Sequence, residues 1–161
     1  MSRDLSRDFD RLEVGTGFRS RGRTITEADL VGFSTLTGDF HPVHTDAEWA
    51  SESLFGSRIA HGCLLLSYCV GLVPFDPEYV VALRGFEKVA FKRPVRIGDT
   101  IYVEGTVEAK KELDGATGMV DFGWKIVNQR GETAVVAKAR AIWRREQDPT
   151  LAATARQEVY L

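Results

Sequence analysis

The run His61-Gly62-Cys63-Leu64-Leu65-Leu66-Ser67-Tyr68-Cys69-Val70-Gly71-Leu72-Val73 constrains this chain more than any other stretch. Between Ile59 and Val73 the imidazole of His61 is the only side chain that ionises near neutral pH. A helix that is apolar nearly all round has to be buried on most of its sides. Pro74 stops it well short of the roughly 20 apolar residues that a bilayer span needs, so protein must cover it. The second half of the chain is suited to do so. Residues 79–91, 100–107, 119–127 and 133–143 are rich in β-branched and aromatic side chains, with turn signals at Arg93-Pro94, Gly98-Asp99, Asp114-Gly115 and Arg130-Gly131. Four successive strands after one buried helix predict an α+β architecture, with an antiparallel sheet curled round a long central helix. The 161 residues, 43% hydrophobic and 27% charged, suit a single soluble domain with a real core and leave no room for a second.

The first half reads as a way of delivering a short polar loop. Residues 12–25 carry Gly15, Gly17 and Gly22 among Val14, Phe18 and Ile25, which predicts a short, interrupted strand or hairpin. Thr26-Glu27-Ala28-Asp29 then opens a helix, since Thr26 can cap and the acids favour the positive end of the helix dipole. Leu30, Val31, Phe33 and Leu36 supply its apolar face and Gly38 ends it. A second short helix is expected over residues 44–50, capped by Thr45 or Asp46, with Trp49 and Phe55 anchored against the core.

Between the two helices lies Asp39-Phe40-His41-Pro42-Val43-His44. Pro42 interrupts a helix, so Asp39 and His44 belong to a loop that can aim both side chains at one small volume. A water held between a carboxylate and an imidazole could lose a proton to one and have it replaced by the other. On these six residues alone, a turn-capping carboxylate and a surface imidazole remain an equal alternative.

The wider pattern narrows the choice. Gly38-Asp39-x-x-Pro42-x-His44, then Asp46, then Phe55-Gly56-Ser57-Arg58-Ile59-Ala60-His61-Gly62, resembles the signature of the MaoC-like, or hydratase 2, enoyl-thioester hydratases and dehydratases. The likeness covers roughly residues 8–145 and implies a hotdog fold. It also implies that Asp39 and His44 are the catalytic pair, and that Gly62 offers its backbone N–H to a thioester carbonyl. The same resemblance implies a homodimer with sites at the subunit interface and an (R)-3-hydroxyacyl product. The substrate would be an acyl thioester of coenzyme A or of an acyl carrier protein, with no separate cofactor. His41 departs from the pattern, because the family usually has Asn there. That departure keeps open an amine in place of water as nucleophile, and a hotdog thioesterase is the other alternative.

The remaining candidates each carry two readings. His61 caps or packs at the start of the central helix, or takes part in binding. His41 bonds its own loop or lines the entrance. Ser67 bonds back to its helix or reaches the acid of the pair. Arg58, Lys92 and Arg93, with Lys88 and Arg96, meet the phosphates of the thioester carrier or form a solvated face. No metal is expected, because the three histidines with Asp39 and Asp46 match no common zinc spacing. Cys63 and Cys69, six apart, read as small core residues without a disulfide. A net charge of −2 gives no drive towards nucleic acid or an anionic membrane. The opening MSRDLSRDFDRLE is no signal peptide, which makes the cytoplasm the expected compartment, and the tail after Glu146 is expected to be frayed or helical.

Overall fold

The structure is a computed structural model that describes residues 5–146. The tail beyond Glu146 lies outside the described residues. β1 (Gly17–Arg19) and β2 (Arg23–Thr24) both pair with β4 (Thr100–Glu112). Then follow β5 (Thr117–Asn128), β6 (Thr133–Arg144) and, at the far edge, β3 (Val80–Phe91). All pairings are antiparallel.

The four long strands form where β-branched and aromatic residues gather. β4 runs past its expected end at Val107 because Glu112 still pairs with Gly118 across the turn at Asp114. The Asp114 carboxylate accepts from the N–H groups of Ala116 and Thr117, which closes that hairpin. Residues 12–25 do not pair with themselves. Each of their two short strands lies on β4 instead, so the expected hairpin is replaced by two separate additions to one strand.

Alternate residues of the long strands form a buried row, with Val103 and Val107 on β4, Val120, Phe122 and Trp124 on β5, and Ala139, Ala141 and Trp143 on β6. Gly105 and Gly118 interrupt the row because the rings of Phe18 and Phe9 occupy the space a Cβ would need there. The central helix α4 (Gly62–Leu72) adds Leu64, Leu65 and Cys69 to the same core. Burial pushes the Cys69 thiol up to about 12, so it is an inert core group. The opposite side of α4 is different. Cys63, Ser67 and Gly71, one stripe at helical spacing, are exposed, so within a single chain the helix is covered on its sheet side only. Cys63 is therefore not a core residue.

α1 (Glu27–Thr37) begins with the expected Thr26 cap, completed by the Asp29 carboxylate accepting from the Thr26 N–H, and ends at Gly38 in the left-handed region (φ 77°). Its buried face is Leu30 and Ser34, with Phe33 half-buried, while Val31 and Leu36 point outwards. The helix is turned so because Ser34 meets a buried partner, His61, that apolar periodicity cannot register. Asp29 also receives the Tyr68 hydroxyl at 2.6 Å and the Arg23 guanidinium at 2.9 Å, which ties α1 to α4. Burial works to raise the Asp29 carboxyl, but these donors and the Thr26 groups hold it below the usual value.

The chain between β3 and β4 crosses from one edge of the sheet to the other side. On the way Val95 accepts from the Ala60 N–H at 2.8 Å, and Arg96 bridges Ile59, which lays residues 92–96 beside the start of α4. Asp99 fixes the end of this crossing. Burial pushes its carboxyl up, yet the Arg96 N–H, the Gln129 amide and the Arg130 guanidinium together hold it below its usual value.

Two outcomes are expected. Gly105→Ala, which forces a methyl into the Phe18 ring, destabilises the fold by about 1–3 kcal/mol in chemical denaturation, while Gly85→Ala, with open space around it, shifts stability by less than about 0.5 kcal/mol. Asp99 contributes stability above its unfolded value of 3.8 that is lost as pH falls through its lower folded value, so unfolding midpoints followed from pH 6 to pH 2 decline less steeply in Asp99→Asn than in the native chain.

Candidate functional site

Asp39 and His44 reach one place by a local device that Pro42 sets up. Pro42 does not hold the segment as loop; it opens the one-turn helix α2 (Pro42–Thr45), where its missing N–H costs nothing. His44 therefore sits on a helical turn rather than in a loop. His41 is the N-cap of that turn, its Nδ1 accepting from the Val43 N–H at 3.1 Å, as an Asn side-chain oxygen would in the same place. Asp46 caps the following α3 (Ala47–Glu52). Trp49, expected in the core, is 47% exposed and packs edge-on to His41 at 5.6 Å. Its aromatic face supports the turn instead of the interior.

The orientation of His44 fixes its chemistry. Its Nδ1 lies 2.7 Å from the Ile59 carbonyl oxygen, which only accepts, so Nδ1 carries the proton and the neutral ring presents a lone pair at Nε2. His61 stacks on His44 with ring centroids 3.7 Å apart and planes 27° apart. His61 Nε2 faces the Asp39 carbonyl oxygen at 3.2 Å and the Ser34 hydroxyl at 3.1 Å, so this nitrogen carries the proton in His61. The two rings thus hold opposite tautomers. His61 is 2% exposed and its Nδ1 has no partner. Burial, and secondarily the nearby His44, lower its pKa from 6.5 against the opposing pull of Asp39, which keeps the ring neutral.

These groups line a cavity of about 390 Å³. Asp39, His44, His61 and the start of α4 at Gly62 form one part of its wall, and Phe33, Phe55, Leu65 and Phe91 give it an apolar side. No side chain caps α4, so its first N–H groups, that of Gly62 among them, are free to meet an oxygen atom. Phe91 lies so close over Gly62 that a Cβ there would stand 2.7 Å from the ring, which explains why glycine occupies the position. A second indentation, about 400 Å³, lies across β1, β4 and β5 around Arg19, Glu104 and Lys125. It contains no histidine, and Arg19 and Glu104 are spent on each other at 2.6 Å.

Of the residues singled out in the sequence, Asp39, His44, His61 and Gly62 converge on the cavity. Ser67 does not: its hydroxyl bonds back to the Cys63 carbonyl at 2.9 Å, and it stands on the exposed stripe of α4. Lys92 and Arg93 line the cavity through the crossing segment. Arg58 is paired with Glu27 at 2.8 Å, and Arg96 is bound to Ser57 and to the Phe55 carbonyl, so neither is free for an anion. Ser34, the Ile59 carbonyl, Phe91 and Cys63, which also lines the cavity, were not legible as site groups. Their common signal is adjacency to His61-Gly62 in space, not in sequence.

The donor atoms of Asp39, His44 and His61 lie within 4.8 Å of one another, closer than their spacing in sequence suggests. Two rings stacked face to face cannot aim in-plane lone pairs at one ion about 2 Å from each, so the trio fits proton transfer better than metal ligation.

Comparison with known proteins agrees with this geometry. Protein MaoC of Klebsiella aerogenes is 41% identical over 103 residues, covering 63% of this chain, although the match spans only 31% of that protein. An (R)-specific enoyl-CoA hydratase of Rhodospirillum rubrum is 32% identical over 136 residues, covering 82% of this chain and 92% of the relative. The solved structure of a MaoC-like dehydratase from R. rubrum superposes with a TM-score of 0.79 at 27% identity, covering 88% of this chain and 99% of that one. A Mycobacterium tuberculosis protein with a double hotdog fold, 18% identical, matches with a TM-score of 0.78 over 88% of this chain and 45% of its own length, which supports the hotdog architecture alone. The model of the MaoC-like domain matches residues 11–128, so this chain is a hotdog protein that belongs to the MaoC-like domain family.

Proposed function

We propose that the protein is a hydro-lyase that adds water reversibly across the α,β double bond of an enoyl thioester and, in reverse, dehydrates a 3-hydroxyacyl thioester. The observation that carries this reading is the His44 tautomer: Nδ1–H is committed to Ile59, which leaves the Nε2 lone pair beside Asp39 in the cavity that Gly62 borders. The thioester oxygen accepts from the Gly62 N–H at the positive end of α4, which draws electrons from the β-carbon. A water between Asp39 and His44 attacks that carbon. As its oxygen bonds to the β-carbon, one of its protons passes to the pair, and the pair returns one proton to the α-carbon, so a single water is consumed and no charge is left behind. Asp39 and His44 act as one acid–base unit in this cycle. An (R) product follows from the named relatives. The bound His41 cap favours water over an amine, because the ring that stands in place of Asn is engaged in holding the turn.

The thioester's carrier enters by its phosphates. Lys92 and Arg93 at the cavity supply the cations, Arg93 being only loosely opposed by Glu132 at 3.9 Å. Coenzyme A and an acyl carrier protein share this chemistry. The working unit is a homodimer: β3 is a sheet edge on which Val81, Leu83 and Phe91 are exposed, beside the uncovered stripe of α4. Among the described residues no helix is long and apolar enough to cross a membrane, in keeping with the cytoplasm as its compartment.

Two measurements test this. Mass spectrometry after incubation with short and medium trans-enoyl-CoA substrates gives a product heavier by one water, and Asp39→Asn or His44→Ala lowers the rate at least about 100-fold; release of free acid instead overturns the hydratase reading in favour of thioester cleavage. Light scattering coupled to size exclusion gives the mass of a dimer, and Leu83→Glu on the β3 edge shifts the population to monomer.

A further inference from the structure

The acid–base pair does not account for two polar groups buried directly behind it. Ser34 is 1% exposed and His61 2% exposed, on different elements, and they meet at 3.1 Å. We propose that Ser34 and His61 form a positioning pair, in which the shared Nε2–H of His61 holds the Asp39 backbone and the face of its ring holds His44 in its reactive tautomer. This assignment deepens the hydration reading and rests on it for its kinetic part.

The geometry leaves His61 one arrangement. The Asp39 carbonyl can only accept, so Nε2 must donate, and the Ser34 oxygen accepts from the same hydrogen. Nδ1 is then a bare lone pair in a dry place with no donor. A second proton there would have no acceptor and would face His44 across 3.7 Å, so His61 stays neutral while His44 is free to gain charge. A neutral ring beneath an imidazolium is attractive, whereas two cations would repel. Asp39 and His44 are the ionisable groups that face His61, with Phe33 packed at 5.0 Å from the α1 side. Through one nitrogen and one ring face, α1, the Asp39 segment and α2 are fixed to the residue that precedes Gly62. Neither Ser34 nor His61 touches the reacting atoms in this arrangement; both act through Asp39 and His44.

The test reads tautomers and rates separately. Long-range ¹⁵N–¹H spectra of histidine-labelled native protein show His61 protonated at Nε2 and His44 at Nδ1; His61 protonated at Nδ1 overturns the proposal. In His61→Phe, which keeps a ring but no donor, kcat falls at least about tenfold while KM stays within about twofold, and His44 becomes a mixture of tautomers. His61→Gln, which restores an N–H near the Nε2 position, recovers part of kcat. A folded His61→Phe protein with an unchanged His44 spectrum and unchanged kcat overturns the assignment. Ser34→Ala removes a single hydroxyl and gives a smaller fall in kcat with the same direction of change at His44, which keeps the test decisive if His61→Phe does not fold. The spectra need no substrate, so a protein without hydration activity would sink the proposed reaction while the tautomers still decide this one.

Discussion

The burial of one side of α4 against the sheet is the constraint on which the site depends. Leu64, Leu65 and Cys69 share a core with Phe122, Trp124 and Trp143, and this fixes where the helix begins. A helix that starts at Gly62 leaves its first N–H groups pointing into whatever lies beyond. The crossing segment, held by the Ala60–Val95 bond and the Arg96 bridge, and the Ser34–His61 contact build a wall around that point. Catalytic geometry here follows from where a hydrophobic helix is obliged to stop.

Electrostatics at the site come from position more than from charge. Two imidazoles of identical chemistry are given opposite tautomers by their acceptors, Ile59 for one and Asp39 with Ser34 for the other. Burial then separates their roles further, because the more enclosed ring cannot afford a charge and the half-buried one can. His41 makes a third use of the same side chain, accepting a backbone N–H at the N-cap of α2.

The exposed features lie together rather than at random. Cys63, Ser67 and Gly71 on α4, and Val81, Leu83 and Phe91 on β3, are apolar or small groups that one chain leaves in water. Phe91 belongs to both the cavity and this exposed edge, so whatever covers the edge also closes the site. The structure of one chain therefore contains the acid–base pair and the helix start in full, with part of the cavity's rim open.

Much of this was legible in order along the chain. The apolar run fixed a buried helix, strand composition fixed four long strands, and the Thr26 and Gly38 signals fixed α1, because each is a local preference that packing then reinforced. Asp39, His44 and Gly62 were legible as chemistry because their residue types and spacing are read together. Other features depended on contacts between distant segments. Periodicity chose Val31 and Leu36 for the face of α1, whereas the fold chose Ser34, since a buried hydroxyl is stable only when a partner 27 positions away is brought to it. Pro42 could be read as a break or as a helix start, and the chain around it decided for the start. The histidine tautomers, the paired state of Arg58 and the exposure of one side of α4 are likewise properties of neighbours, so sequence alone determined the elements and the reactive groups, and only the tertiary structure decided how those groups are aimed.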